Sequence, residues 1–249
     1  MTTDSTPSEL AGHLRPVLDR AIVCFDVDGV LAPIVEHADD ATLLDGVRDA
    51  LRSLSQRSAV AILSGRSLDS LQRLFDFPAE LHVIGSHGLE ERGTGPMDLD
   101  EAEATRFRAL EDIGRRAVER AGEGAWLERK PASVVVHTRA ADPGLAGPAV
   151  QQAGQEAGGV DGAVVKGGHQ VLELLARSAS KGEALVGLAG RLHRSPVIYL
   201  GDDLTDEDAF RMMGSDDFSI RIGQGDTAAR FRLADPQAVR ELLGLLTGA

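Results

Sequence analysis

Only one cysteine, Cys24, occurs in the 249 residues. No disulfide can form within the chain, which fits a reducing compartment such as the cytoplasm. Aromatic residues are scarce, at 4%, and leave little from which to build a base-stacking groove. Positive charge is also in deficit: 26 basic against 39 acidic residues give a formal charge of −13. That balance argues against nucleic acid, whose phosphates need a basic surface. No apolar run approaches the roughly 20 residues of a membrane span. The opening stretch MTTDSTPSE lacks the basic start and apolar middle of a secretion signal, and it reads as a polar leader, with flexibility expected over residues 1–15. Internal repeats and low-complexity tracts are missing too. What remains is a chain long enough to bury a sizeable core, with 43% hydrophobic residues.

Strand-like and helix-like segments alternate along it. The runs AIVCF (21–25), AVAIL (59–63) and LHVIG (81–85) are short and apolar throughout, as in strands of a parallel sheet covered on both faces. Between the first two, Leu43, Leu44, Val47, Leu51 and Leu54 recur at helical spacing, and a second helix follows through Leu68, Leu71, Leu74 and Phe75. The texture changes after residue 89, where LEERGTGPMDLD is charged, carries Gly and Pro, and reads as a boundary. A long helix through Phe107, Leu110, Ile113, Ala117 and Val118 comes next. The segments AWLERKP, ASVVVHTR and AVVKGGHQVLELLA then read as antiparallel strands, with a helix near 146–157. The first texture returns by Lys181, with a helix, the strand VIYL, the strand FSIRI and a terminal helix. The expectation is an α/β fold: a Rossmann-like parallel core formed by 1–90 and 175–249, interrupted by an inserted α+β cap at 91–174.

Acidic residues gather at two strand ends. FDVDG puts Asp26 and Asp28 two apart, on one side of an extended backbone, and Gly29 then permits a turn. GDDLTDEDAF follows VIYL with five carboxylates in ten residues. Thr205 as helix N-cap, with Asp208 as its capping-box partner, accounts for Asp206, Glu207 and Asp208, because acids in a first turn meet the positive end of the helix dipole. Asp202 and Asp203 precede that cap and need another cause. Ligands of open parallel sheets bind beyond the carboxyl ends of the strands. A shared hard cation relieves the repulsion among carboxylates gathered there, and an all-oxygen set without His/Cys spacing selects Mg²⁺. At a third strand end, Ser64, Gly65 and Arg66 offer a hydroxyl and backbone amides to a phosphate. Lys181 opens a helix, where the dipole disfavours it, and could neutralise a phosphoryl group beside the acids.

Asp, Asp, Ser, Lys and Asp-Asp in this order, each at an element boundary, resemble the four-motif layout of the haloacid dehalogenase phosphatases over nearly the whole chain. The elements SGR, GSHG, ERKPASVVVH, VLEL before SKGEAL, and GDDLTDEDAF further resemble the trehalose-6-phosphate phosphatases. The resemblance implies that Asp26 is the nucleophile of an aspartyl-phosphate mechanism and that Asp28 is its general acid and base. It implies that Ser64 and Lys181 hold the phosphoryl oxygens. Mg²⁺ would be bound by Asp26, the Asp28 carbonyl and Asp202, with Asp203 or Asp206 behind them. The insertion would be a cap that closes on the sugar, and Glu128, Lys130, Ser133, His137, His169 and Glu173, with Arg66 and His87 of the core, would contact the sugar phosphate. A functional link to a trehalose-6-phosphate synthase is implied as well. The chain departs from the family pattern in three places: Val30 stands where Thr is more frequent, His169 where Lys is common, and ELLARSASKG lacks the usual proline after the strand.

Trp126, the sole tryptophan, reads as a packing residue. GQGDTA (223–228) imitates a dinucleotide fingerprint but lacks the βαβ unit that would give it meaning, so it reads as a turn. Competing readings are a capped phosphatase for sucrose, mannosylglycerate or glucosylglycerol phosphate, a phosphomutase, a non-catalytic sugar-phosphate sensor, and a signalling receiver. The intact acid set argues against the sensor; length, the insertion and the second carboxylate at Asp28 argue against the receiver.

Overall fold

A computed structural model describes residues 2–94, 99–168, 170–178 and 180–248. The chain divides into two compact units, one of Met1–Thr94 with Ser180–Ala249 and one of Gly95–Ala179.

The first unit begins with β1 (Thr3–Asp4), α1 (Pro7–Leu14), β2 (Ile22–Phe25), α2 (Val47–Ser55), β3 (Ala59–Leu63), α3 (Leu68–Leu74), β4 (His82–Gly85) and β5 (Glu90–Glu91). The second contains α4 (Glu101–Ala121), β6 (Trp126–Arg129), β7 (Ser133–His137), α5 (Pro143–Gly158), β8 (Val164–Gly168) and β9 (Val171–Leu175). The chain then returns to the first unit with α6 (Lys181–Leu192), β10 (Val197–Gly201), α7 (Leu204–Met212), β11 (Phe218–Ile222), β12 (Phe231–Leu233) and α8 (Pro236–Thr247).

The sheet of the first unit has the order β1-β12-β11-β10-β2-β3-β4-β5, parallel except for the β4–β5 pair. β2 and β10 sit side by side at its centre. Alternation sorts the residues of β2 between two cores: Val23 and Phe25 pack with α1, α2 and α8 on one face, Ile22 and Cys24 with α6 and α7 on the other. Cys24 is fully buried, and burial pushes its thiol well up from the ordinary range.

Two sequence expectations fail here. Residues 2–15 are folded rather than flexible: β1 pairs in parallel with β12, and α1 buries Leu10, Ala11 and Leu14 in the main core. The polar letters are cap chemistry. Thr6 accepts from the Glu9 amide and Glu9 from the Thr6 amide, and Pro7 occupies the first helical position. Leu43 and Leu44 pack on the core but precede α2, because Gly46 takes φ 81° as its N-cap.

The second unit is a four-stranded antiparallel sheet, order β6-β7-β9-β8. One face packs Leu127, Val134, Val136, Leu172 and Leu174 against Phe107, Leu110, Ile113 and Ala117 of α4 and Ala153 and Ala157 of α5. Gly114 makes the close approach of α4 possible, since a Cβ there would stand 2.7 Å from Leu127 Cδ1. The other face carries Trp126, Glu128, Ser133, Val135, His137 and Glu173, by the period of two and the strand register. Among the described residues no helix is long and apolar enough to cross a membrane.

Candidate active site

The carboxyl ends of the central strands hold the acidic residues. Asp26 follows β2 and is 4% exposed; its amide donates to the Leu200 carbonyl at 3.0 Å, so it continues the β2–β10 ladder. One carboxylate oxygen, Oδ1, accepts from the Val27 amide at 2.7 Å. The loop turns at Gly29, φ 74°, where a Cβ would collide with the Asp202 carboxylate. Only glycine therefore lets the β2 loop reach the end of β10.

Lys181, the first residue of α6, is almost wholly buried and donates from Nζ to Asp26 Oδ2 at 2.7 Å and to Asp206 Oδ1 at 2.8 Å. Asp206 is the most heavily engaged acid. Oδ1 also accepts the Tyr199 hydroxyl at 2.5 Å, and Oδ2 accepts the Asp202 and Asp203 amides at 2.8 and 3.0 Å. The N-cap of α7 is Asp203 rather than Thr205, and its capping-box partner is Asp206 rather than Asp208. The Asp203 carboxylate receives the Thr205 amide and hydroxyl and the Asp206 amide at 2.7–3.1 Å, so the helix starts two residues earlier than expected, at Leu204. Asp208 instead pairs with Arg211 at 3.1 Å.

Ser64 lies just beyond β3, 1% exposed, with Oγ accepting the Arg66 amide at 3.2 Å. Arg66 grips Asp28 with two bonds of 2.7 Å, Nε to Oδ2 and Nη2 to Oδ1, a fork that fixes the carboxylate in plane. His87, left-handed at φ 57°, donates its amide to the Ser64 carbonyl at 2.9 Å, and its ring would lie 2.6 Å from a Cβ at Gly65. SGR and GSHG thus form one packed corner.

The electrostatics are those of a surplus of negative charge. Asp26, Asp203 and Asp206 bring carboxylate oxygens within 4.8 Å of one another. Burial pushes the Asp26 carboxyl well up; Lys181 opposes the rise and Asp206 and Asp203 add to it. Burial works against the Lys181 ammonium, yet the charges of Asp26, Asp206 and Asp203 outweigh it and hold its pKa high. Asp203 ends below the ordinary value, because Lys181 and the bonds from Thr205 and Asp206 outweigh its burial. Asp202 is pushed up to about 7 by burial and by Asp206 and Asp203. Its carboxylate receives no hydrogen bond from the described residues. A half-buried carboxylate without a donor among the described residues, set against the Gly29 turn, suits a hard divalent cation with oxygen ligands. Asp206, with two donors on each oxygen, suits a supporting place.

Four sugar-contact candidates lie on the open face of the second unit's sheet, with Lys130 just beyond β6. Ser133 Oγ donates to Glu173 Oε1 at 2.7 Å, and Lys130 Nζ reaches the same oxygen at 3.3 Å. His137 Nε2 lies 3.0 Å from Glu128 Oε2. His169 lies outside the described residues. Trp126 is not a packing residue: it is 53% exposed, and its indole stacks on the His137 ring at 3.9 Å with 4° between the planes. Alternation along β6 puts it on the open face with Glu128, a signal the sequence does carry. Tyr199 was also missed. Its strand reads as apolar throughout, and nothing local marks a hydroxyl that turns toward Asp206.

The chain matches the family described as Trehalose-phosphatase over residues 24–237. It is 35% identical over 260 residues to the trehalose-phosphate phosphatase of Mycobacterium ulcerans (strain Agy99), covering 96% of this chain and 65% of that protein. It is 31% identical over 269 residues to the probable trehalose-phosphate phosphatase 3 of Oryza sativa subsp. japonica, covering 89% of this chain and 68% of the relative. Among solved structures, the C-terminal domain of C. albicans trehalose-6-phosphate phosphatase superposes with a TM-score of 0.80 at 24% identity, covering 100% of this chain and 99% of the other. The chain therefore spans about two thirds of the length of these two relatives, 65% for the mycobacterial protein and 68% for the rice protein.

Proposed function

The chain belongs to the trehalose-phosphatase family, and from that premise we propose that it hydrolyses trehalose 6-phosphate to trehalose and phosphate. The observation that carries the reading is the buried Asp26–Lys181–Asp206 array at the carboxyl ends of β2 and β10. Asp26 attacks phosphorus through a carboxylate oxygen, the bond from phosphorus to the sugar oxygen breaks, and Asp28 gives that oxygen its proton. Water then attacks the aspartyl-phosphate. It loses a proton to Asp28, the bond between phosphorus and Asp26 breaks, and both carboxyl groups return to their starting states. Splitting one difficult displacement into two easier ones is the gain of a covalent nucleophile.

Lys181 orients Asp26 and offers fixed positive charge to the phosphoryl oxygens, already aligned before the reaction. Ser64 and the Arg66 corner bound the place where those oxygens sit. Arg66 holds Asp28 by both oxygens, so the acid/base stands in a defined plane and proton transfer does not wait on its orientation. Asp26, the Asp28 carbonyl and Asp202 would hold Mg²⁺, backed by Asp203 and Asp206, and the bound ion would supply further positive charge against the phosphoryl group. Glu128, Lys130, Ser133, His137 and Glu173 supply hydrogen bonds suited to sugar hydroxyls, a kind of site that rejects analogues lacking them.

Phosphate release from a panel of sugar phosphates, with and without Mg²⁺, tests the reading. Trehalose 6-phosphate should be the preferred member, and exhaustive chelation should stop turnover until Mg²⁺ is restored. A preference of tenfold or more for sucrose or a monosaccharide phosphate, about 1.4 kcal/mol, would leave the phosphatase chemistry standing and remove the substrate assignment. Undiminished turnover after chelation would remove the metal.

A further inference from the structure

Trp126 opens the edge strand of the second unit's sheet and is the chain's only tryptophan. One face of its indole is covered by His137, its partner across the ladder, and that imidazole is in turn tied to Glu128. Burial does not explain a side chain left 53% exposed. An indole contributes most when its large apolar area leaves water, and this one stands on the face that α4 and α5 do not cover. Its surroundings are polar: Glu128, His137, Ser133 and Glu173 share that face. An aromatic plane bordered by a carboxylate and an imidazole has the two halves of a carbohydrate site. The plane takes the apolar C–H face of a ring, and the polar groups take its hydroxyls.

We propose that the Trp126 indole is a stacking platform for a pyranose ring of the sugar phosphate, with its plane fixed by His137 and Glu128. This rests on the reading that the substrate is a sugar phosphate. It adds a contact made by shape and apolar area to a set of contacts otherwise made by hydrogen bonds. It also makes a cyclic sugar, rather than an open-chain polyol phosphate, the better fit.

The full chain carrying Asp26→Asn, mixed with trehalose 6-phosphate, provides the test, because it should bind substrate without consuming it. Saturation-transfer NMR should place the sugar C–H protons of one ring face nearest the protein, shifted upfield by the indole ring current. Trp126 being the sole tryptophan, its emission should change saturably with the sugar phosphate and not with inorganic phosphate alone. Adding Trp126→Ala should erase the upfield shift and weaken binding at least tenfold, and Trp126→Phe should restore most of both. Trp126→Leu, which keeps apolar bulk without a ring current, replaces the alanine variant if that one fails to fold. Upfield shifts that survive the removal of Trp126, or parental affinity without it, would overturn the platform; phosphate release by the parent would still uphold the sugar-phosphatase reading. If a different sugar phosphate gives the shift and the emission change, the platform stands and the identity of the sugar falls. If no sugar phosphate gives either signal, the platform falls, and the phosphate-release panel decides the activity separately.

Discussion

Asp26 and Asp28 are two residues apart and held in different ways: one oxygen of Asp26 meets Lys181 and the other the Val27 amide, whereas both oxygens of Asp28 meet Arg66. The proposed roles follow this difference. Asp26→Asn should abolish turnover with the fold intact, because a neutral amide cannot attack phosphorus, and beryllium fluoride should be trapped by the parent and not by this variant. Asp28→Asn should slow both half-reactions and leave the trap working. Parental turnover by Asp26→Asn would remove the covalent step. The residues at strand ends were legible in the sequence because an acid, hydroxyl or lysine after a buried apolar run has little reason to be there unless it is used. Tyr199 was not, because an aromatic side chain in a strand is compatible with packing and with polar contact alike; for Trp126 the alternation with Glu128 gives the face but not what the ring meets there. Only the third dimension decides which end of the ring meets a partner.

The helix starts show where patterns of letters compete. Thr205 and Asp203 can both cap α7. The carboxylate wins because it accepts three hydrogen bonds at once and leaves Asp206 free to answer from the third helical position. α1 is the case in which polarity misled: a short amphipathic element with a capping box reads as leader when its two leucines are weighed against nine polar neighbours. Leu10→Ala, at a fully buried position, should lower the unfolding free energy by about 2–5 kcal/mol in urea titrations; a loose terminus would show no change. α4 carries a charge device at its start. Glu103 completes the capping box with Asp100 and also accepts Arg177 Nε at 2.7 Å. The bond from Arg177 is the main reason its pKa falls from 4.5 to about 2. A lowered carboxylate pKa stabilises the fold above the unfolded value and loses that contribution as pH falls toward the folded one. Glu103→Gln keeps a capping side chain and removes the charge. Its melting temperature should lie below the parent's at neutral pH, and the gap should close as pH drops from about 4.5 toward 2.

Each of the two units has a hydrophobic core of its own, and the division of labour we propose follows the same line: phosphate chemistry in the parallel-sheet unit, sugar recognition on the open sheet face of the other. Glu128→Ala should accordingly slow trehalose 6-phosphate hydrolysis by about ten- to a hundredfold, the cost of leaving a partner unpaired being about 1–3 kcal/mol. Hydrolysis of a small aryl phosphate should suffer far less. Part of the loss should appear in kcat, since binding energy remote from phosphorus also serves the reacting state. Equal losses on both substrates would mark Glu128 as structural. The alternating α/β plan was legible because buried parallel strands are apolar on both faces, and the insertion because the pattern breaks at the charged, Gly- and Pro-bearing LEERGTGPMDLD and resumes by Lys181. A last consequence belongs to Cys24. The only thiol of the chain lies fully buried in the central strand, one residue before Phe25 and two before Asp26. A thiol reagent can therefore reach it only when the middle of the large sheet opens. The labelling rate of the unmodified protein is a clock for that opening, and a cysteine engineered anywhere on the surface could carry a dye with no competing site.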